Sequence, residues 1–107
     1  MTSGMSSIKI KTKPSGSVYL IRILITHPME TGRRKDKESG ELLAAHYIQE
    51  VKLEHNGDVV ASSQFGTAVS RDPYLSFRIR EAKPGDRLTV RWLDNLGQSD
   101  SEETLLP

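Results

Sequence analysis

The chain has 107 residues, a formal net charge of +1 and no cysteine. A chain of this length forms one domain around a single modest core. The near-neutral charge argues against bulk electrostatic binding to nucleic acid or to a membrane, and the lack of cysteine excludes disulfides, thiolate metal ligands and a cysteine nucleophile.

The polar N-terminal segment, residues 1–7, is predicted to be disordered. It has neither the basic nor the apolar region of a secretory signal, and no apolar run in the chain approaches transmembrane length. Apolar and charged residues then alternate over residues 8–11, which predicts a half-exposed strand. Residues 14–16, with their proline and glycine, predict a turn.

A β-rich run over residues 18–26 is apolar on both faces. One face carries Tyr19, Ile21, Ile23 and Ile25, and the other carries Val18, Leu20 and Leu24, interrupted by Arg22. A strand of this kind is usually covered on both faces. In a small sandwich the second cover could be a partner chain.

The rest of the chain alternates between short strands and turns. Residues 31–45 predict a loop, and long loops in small domains are usually functional or disordered. Further strands are predicted at 47–55, with Tyr47, Val51 and Leu53 inward, and at 59–65, 74–80 and 88–92, before a weak polar strand that ends near Leu105. Asn56-Gly57 is a strong hairpin signal. About seven strands with regularly spaced turns predict an all-β antiparallel sandwich in a single domain, residues 1–107.

The histidines are the first candidates for chemistry. His27 and His46 flank the long loop and could meet in space, and together with Glu30 they could form a nitrogen/oxygen metal site. The alternative is that His27 is a strand-end residue hydrogen-bonded to the backbone. His55 precedes the Asn-Gly turn and is expected to be exposed.

Other catalytic arrangements find little support. The chain has no Gly-x-Ser-x-Gly motif and no cysteine nucleophile. The carboxylates of Glu30, Asp36 and Glu41 lie in one loop among basic residues, which is typical of a solvated loop and not of an acid/base pair. The sequence therefore favours a protein that is not an enzyme.

Two features favour interaction with a partner. The basic run Arg33-Arg34-Lys35 has no aromatic platform for nucleic acid, so it either binds an anion or an acidic protein surface or is simply solvated. Tyr74 points away from Leu75 and Phe77, as an interface anchor or as a residue at the sheet edge.

The order and spacing of several motifs resemble the SoxZ family, from about residue 16 to residue 97. The motifs are His27-Pro28-Met29-Glu30-Thr31-Gly32-x-Arg34-x-Asp36, Tyr47-Ile48, Pro73-Tyr74-Leu75-x-Phe77 and Trp92-x-Asp94-x-x-Gly97. The chain departs from the family by reading Ala44-Ala45 where relatives often have a proline, and by its short acidic C-terminal strand.

The resemblance implies an immunoglobulin-like sandwich that forms a heterodimer with SoxY. SoxY carries sulfur intermediates of thiosulfate oxidation on the cysteine of its C-terminal arm. The chain would then be a scaffold without cofactor in the periplasm, exported together with SoxY and docking transiently to the Sox enzymes. We expect the partner interface at His27, Pro28, Met29, Glu30, Gly32, Arg33, Arg34, Asp36, Leu20, Leu24 and Tyr74.

Two alternatives remain open at this point. His27-Pro28-Met29 and His46-Tyr47-Ile48 are similar to iron-binding segments of superoxide reductases, but those enzymes need four histidines and a cysteine, and this chain has three histidines and no cysteine. A small metal-binding immunoglobulin-like protein is therefore the competing class. A homo-oligomeric domain, self-associating through its apolar surface, is the other.

Overall fold

The structure, a computed structural model, describes residues 6–107, which contain strands, turns and loops but no helix. No segment of this part of the chain is therefore a helix able to cross a membrane. The predicted disorder of residues 1–7 falls largely on residues 1–5, which lie outside the described part. Ser6 and Ser7 hydrogen-bond through their hydroxyl groups to the Asp100 carboxylate, at 3.3 and 2.7 Å.

Seven strands form two antiparallel sheets. The strands are β1 (Ile8–Ser15), β2 (Val18–Ile25), β3 (Ile48–His55), β4 (Asp58–Gln64), β5 (Tyr74–Arg80), β6 (Arg87–Asp94) and β7 (Ser99–Leu105). One sheet has the order β1-β2-β5 and the other the order β4-β3-β6-β7. The predicted all-β, immunoglobulin-like sandwich of about seven strands is confirmed.

The core lies between the two sheets and is built by strict alternation. In β2 the face that carries Tyr19 is the buried one, with Ile21, Ile23 and Ile25 all at 0% exposure. In β6, Leu88 and Val90 are equally closed to solvent. Period-two patterning therefore decides which side of each central strand faces the core.

Three local details differ from the sequence prediction. β1 continues through Pro14 to Ser15, which an edge strand tolerates because proline there removes no ladder hydrogen bond. Ile48, and not Tyr47, is the fully buried residue at the start of β3, where the register with β6 shifts at a bulge. The acidic last strand pairs with β6 along its whole length, and Leu106 behind it is buried.

Candidate functional site: the Asp94 cluster, the loop 27–46 and the outer face of β2

Asp94, the last residue of β6, is the centre of the most buried polar cluster. It is 1% exposed. Its Oδ2 accepts hydrogen bonds from His27 Nε2 at 3.2 Å and from His46 Nε2 at 2.8 Å. Its Oδ1 accepts the backbone N–H groups of Leu96 and Gln98 at 3.0 and 2.8 Å. One carboxylate therefore joins the end of β2, the end of the long loop and the β6–β7 turn.

The four donors keep Asp94 ionised despite its burial. Burial alone would raise the pKa of this carboxyl group. The hydrogen bonds from His27, from the Gln98 N–H, from His46 and from the Leu96 N–H outweigh that effect and lower the pKa below its usual value. The Asp94 carboxylate thus keeps its negative charge, and both histidines donate hydrogen bonds to it.

His27 is packed and hydrogen-bonded on all sides. Its ring lies edge-on to His46 and to Trp92, with centroid separations of 4.6 and 5.2 Å. Its Nδ1 accepts the Met29 N–H at 3.1 Å. A neutral imidazole has one proton, so this contact places that proton on Nε2, where it is donated to Asp94. His27 is therefore a strand-end residue that orients the loop behind it.

The cluster does not suit a metal ion. The nearest donor atoms of His27, His46 and Asp94 lie within 4.8 Å of one another, as in many metal sites. Binding through His27 Nε2 would move the imidazole proton to Nδ1, where it would face the Met29 N–H. The His46 Nε2 likewise has two acceptors, Asp94 and Gln98, at 2.8 and 3.1 Å, so it carries a proton.

The predicted metal set is therefore only partly assembled. His27 and His46 do meet, but the carboxylate of Glu30 forms a bidentate ion pair with the Arg34 guanidinium. This ion pair lowers the pKa of Glu30. The carboxylate that joins the histidines is Asp94, which the sequence analysis named only as part of the motif Trp92-x-Asp94-x-x-Gly97. Asp94 is far from both histidines along the chain, so no local sequence motif connects the three residues.

The loop 27–46 is tied down at both ends and along its length. Glu30 and His46 exchange two backbone hydrogen bonds, of 2.7 and 3.0 Å, and Leu43 N–H donates to the Arg34 carbonyl at 2.8 Å. Gly32 has φ +84°, and a Cβ there would lie 3.2 Å from the Ala45 Cβ. Glycine is required at this position by backbone conformation and by close approach.

The predicted interface residues of this loop divide into two groups. His27 and Met29 are buried within the chain, at 3% and 6% exposure, so their side chains hold the loop in place. The remaining residues form its surface: Pro28, Arg33 and Arg34 are exposed, and Glu30, Gly32 and Asp36 are half-buried. A partner would contact this second group.

The other predicted interface residues lie together on the outer face of the β1-β2-β5 sheet. Leu24 is 39% exposed and stands opposite Tyr74, which is 60% exposed. Leu20, four residues before Leu24 on the same face, is half-buried. Within residues 6–107 no element packs over this face, so the second apolar side of β2 is open.

Comparison with known proteins gives a consistent assignment. The model of the family described as "Sulphur oxidation protein SoxZ" matches residues 8–105. No curated protein sequence matches the chain. A hypothetical protein from Pyrococcus horikoshii OT3 has a similar structure, with a TM-score of 0.66 and 18% identity over 94% of this chain and 87% of the other. A superoxide reductase in the oxidised state is also similar, with a TM-score of 0.65 and 18% identity over 95% of this chain and 88% of the other. At this identity the two structures show the shared fold alone.

Replacing Asp94 by Asn tests the importance of the buried charge. We expect Asp94→Asn to lower the free energy of unfolding by about 2–4 kcal/mol, because the amide replaces a charged acceptor shared by four donors. The lowered pKa means that the stabilisation by Asp94 is fully present above about pH 4 and is lost as the pH falls through that lowered value. Urea unfolding of both proteins between pH 3 and pH 7, taken in roughly unit steps, measures the difference.

The matched control is Asp86→Asn. Asp86 also accepts a hydrogen bond from a histidine, His55 Nε2 at 2.8 Å, but both side chains are partly open to water. We expect a clearly smaller loss of stability than for Asp94→Asn. An equal loss in the two variants, or a loss at Asp94 that does not change with pH, would contradict the role given to the buried charge.

Proposed function

The chain belongs to the SoxZ family of sulphur oxidation proteins, and on that basis we propose that it is a non-catalytic subunit of a sulfur carrier that pairs with SoxY. SoxY would supply the cysteine that carries sulfur intermediates of thiosulfate oxidation. This chain contains no thiol. Its contribution would be to scaffold SoxY and to form part of the surface that the Sox enzymes recognise.

The observation that carries this proposal is the family match along almost the whole chain, in a protein whose β2 strand exposes apolar residues outward. Within residues 6–107, no serine or threonine hydroxyl hydrogen-bonds to a histidine, so the described residues offer no activated hydroxyl nucleophile. An exposed apolar strand face is what a subunit buries against its partner.

The loop 27–36 would lie at the edge of the surface offered to the SoxY arm and to the enzymes that the arm visits. Its backbone is fixed by the Glu30–His46 bridge and by the buried Asp94 cluster. A rigid loop loses little conformational entropy on binding. We place the complex in the periplasm, reached by export together with SoxY.

The direct test is co-expression with SoxY from the same organism, followed by size-exclusion chromatography with mass detection. A stoichiometric heterodimer is the expected result. Separate elution of the two chains, or assembly of this chain only with itself, would contradict the proposed function.

Replacing Leu24 by Asp tests the outer face of β2. We expect Leu24→Asp to weaken SoxY binding at least tenfold, because a charge would have to be desolvated in the interface. The matched control is Leu93→Asp. Leu93 is 43% exposed, close to the 39% of Leu24, but lies on the outer face of the other sheet. Titration calorimetry of both variants, with Leu20→Asp as a second probe, gives the affinities. Equal affinities for the two leucine variants would place SoxY elsewhere.

Replacing Arg33 by Glu tests the loop. Arg33 is exposed, whereas Arg34 is bound to Glu30. We expect Arg33→Glu, and more strongly the double variant with Arg34→Glu, to slow thiosulfate-dependent turnover of the reconstituted system while the heterodimer still forms. Lys37→Glu, an exposed residue outside the loop 27–36, is the control for the charge change. Unchanged turnover in the arginine variants would remove the loop from the docking surface.

A further inference from the structure

The two sheets carry different charge, although the whole chain is nearly neutral. The strands β1, β2 and β5 contain no aspartate or glutamate. They contain six basic residues, and all six side chains are exposed on the outer face of the sheet: Lys9, Lys11, Lys13, Arg22, Arg78 and Arg80. Among residues 6–107, none of these six forms an ion pair with a carboxylate. We call this surface the basic face.

The other sheet neutralises its own outer face. Arg91 Nε donates to Glu54 at 2.8 Å, and Arg87 lies 3.7 Å from Glu103. Lys52 lies 3.7 Å from Glu50 on the same side. The contrast is therefore not a general property of surface strands in this protein, because the opposite sheet pairs its cations and the basic face does not.

Arg22 is the centre of the basic face. Three shallow depressions lie on it, and Arg22 lines each of them. Leu20 lines two and Leu24 the third, next to the exposed ring of Tyr74. Apolar floors in the central strand are thus flanked by cations from the strands on either side.

From this arrangement we infer that the basic face binds an acidic protein surface whose apolar side chains enter the depressions beside Arg22. This inference rests on the proposed function, with SoxY as the partner, and adds the chemistry of the surface that SoxY offers. Carboxylates suit the unpaired guanidinium groups of Arg22 and Arg78, because each guanidinium can donate two parallel hydrogen bonds to one carboxylate. Complementary charge would speed association and fix the register of the complex.

The shape of the face favours a protein over the two other polyanions that bind basic surfaces. The leucines lie in the central strand, Leu20 half-buried, between rows of longer cationic side chains. A lipid surface would meet the cations before any apolar contact formed, whereas protruding side chains of a protein can reach the depressions. Nucleic acid would leave the apolar floors without a partner, since single strands bind through aromatic platforms and Tyr74 is the one exposed aromatic side chain in β1, β2 and β5.

The first experiment measures SoxY affinity against salt concentration. We expect binding to weaken markedly between about 0.05 and 0.5 M salt, as screening shortens the reach of the six cations. Arg22→Glu is expected to weaken binding about tenfold or more at low salt, and Arg22→Gln less, because the first reverses the charge and the second only removes it. Lys52→Glu, on the outer face of the opposite sheet, is the matched control and should bind as the wild type does.

The second experiment identifies the surface directly. A carbodiimide joins a lysine amine to a carboxylate only where the two are in contact. We expect mass spectrometry of the treated complex to find Lys9, Lys11 and Lys13 joined to aspartate or glutamate of SoxY. The internal controls are Lys37, Lys52 and Lys83, which lie outside both the basic face and the loop 27–36.

The outcomes separate this inference from the function on which it rests. A heterodimer that forms independently of salt, tolerates Arg22→Glu and cross-links through the control lysines would overturn the inference and leave the carrier-subunit function standing. Absence of any heterodimer would overturn both. Two further tests use the isolated chain: sedimentation with phosphatidylglycerol vesicles and a gel shift with duplex DNA. Binding to either one that Arg22→Glu abolishes and SoxY does not compete with would also overturn the inference, in favour of a lipid or a nucleic acid.

Discussion

The Asp94 carboxylate is the contact on which the arrangement of the candidate site depends. It stands at the end of β6 and binds donors from the end of β2, the end of the long loop and the following turn. Because His27 and the carboxylate are almost closed to water, loss of Asp94 would leave the His27 Nε2–H without a partner, whereas His46 would keep its contact with Gln98. Together with the backbone hydrogen bonds between Glu30 and His46, this buried charge fixes the position of the loop 27–46 relative to both sheets.

The same cluster explains why a shared fold need not bring shared chemistry. The structure is similar to that of a superoxide reductase, and it brings two histidines and a carboxylate together as a metal site would. Yet the Nε2–H groups of His27 and His46 both donate to Asp94, and the other ring nitrogen of His27 accepts the Met29 N–H. The polar atoms satisfy one another, and among residues 6–107 no buried side-chain nitrogen or oxygen lacks a hydrogen-bond partner.

The two outer faces of the sandwich differ in whether their cations are paired with carboxylates. The β4-β3-β6-β7 sheet pairs Lys52, Arg87 and Arg91 with carboxylates of its own strands. The β1-β2-β5 sheet leaves its cations unpaired around exposed apolar residues. Such a surface gains most from a partner of opposite charge, which agrees with the proposed role as a subunit of a complex.

The sequence by itself determined the fold class and most of the strands. Alternation placed Ile21, Ile23 and Ile25 on one face, which is the buried face, and Asn56-Gly57 forms the predicted hairpin with φ values of +51° and +91°. These signals are local, because a strand repeats every two residues and a turn is set by the conformations of its own residues. The family motifs, also read from the chain, pointed to SoxZ.

Only the tertiary structure decided which distant residues act together. Asp94 lies 67 residues from His27 and 48 from His46, so no spacing rule connects them. The bulge that buries Ile48 depends on the register between β3 and β6. The basic face also depends on the tertiary structure. The net charge of +1 does not show that the unpaired cations lie together, which follows only once β1, β2 and β5 are known to share one sheet. Strand order and register are set by packing between elements, which local periodicity does not encode.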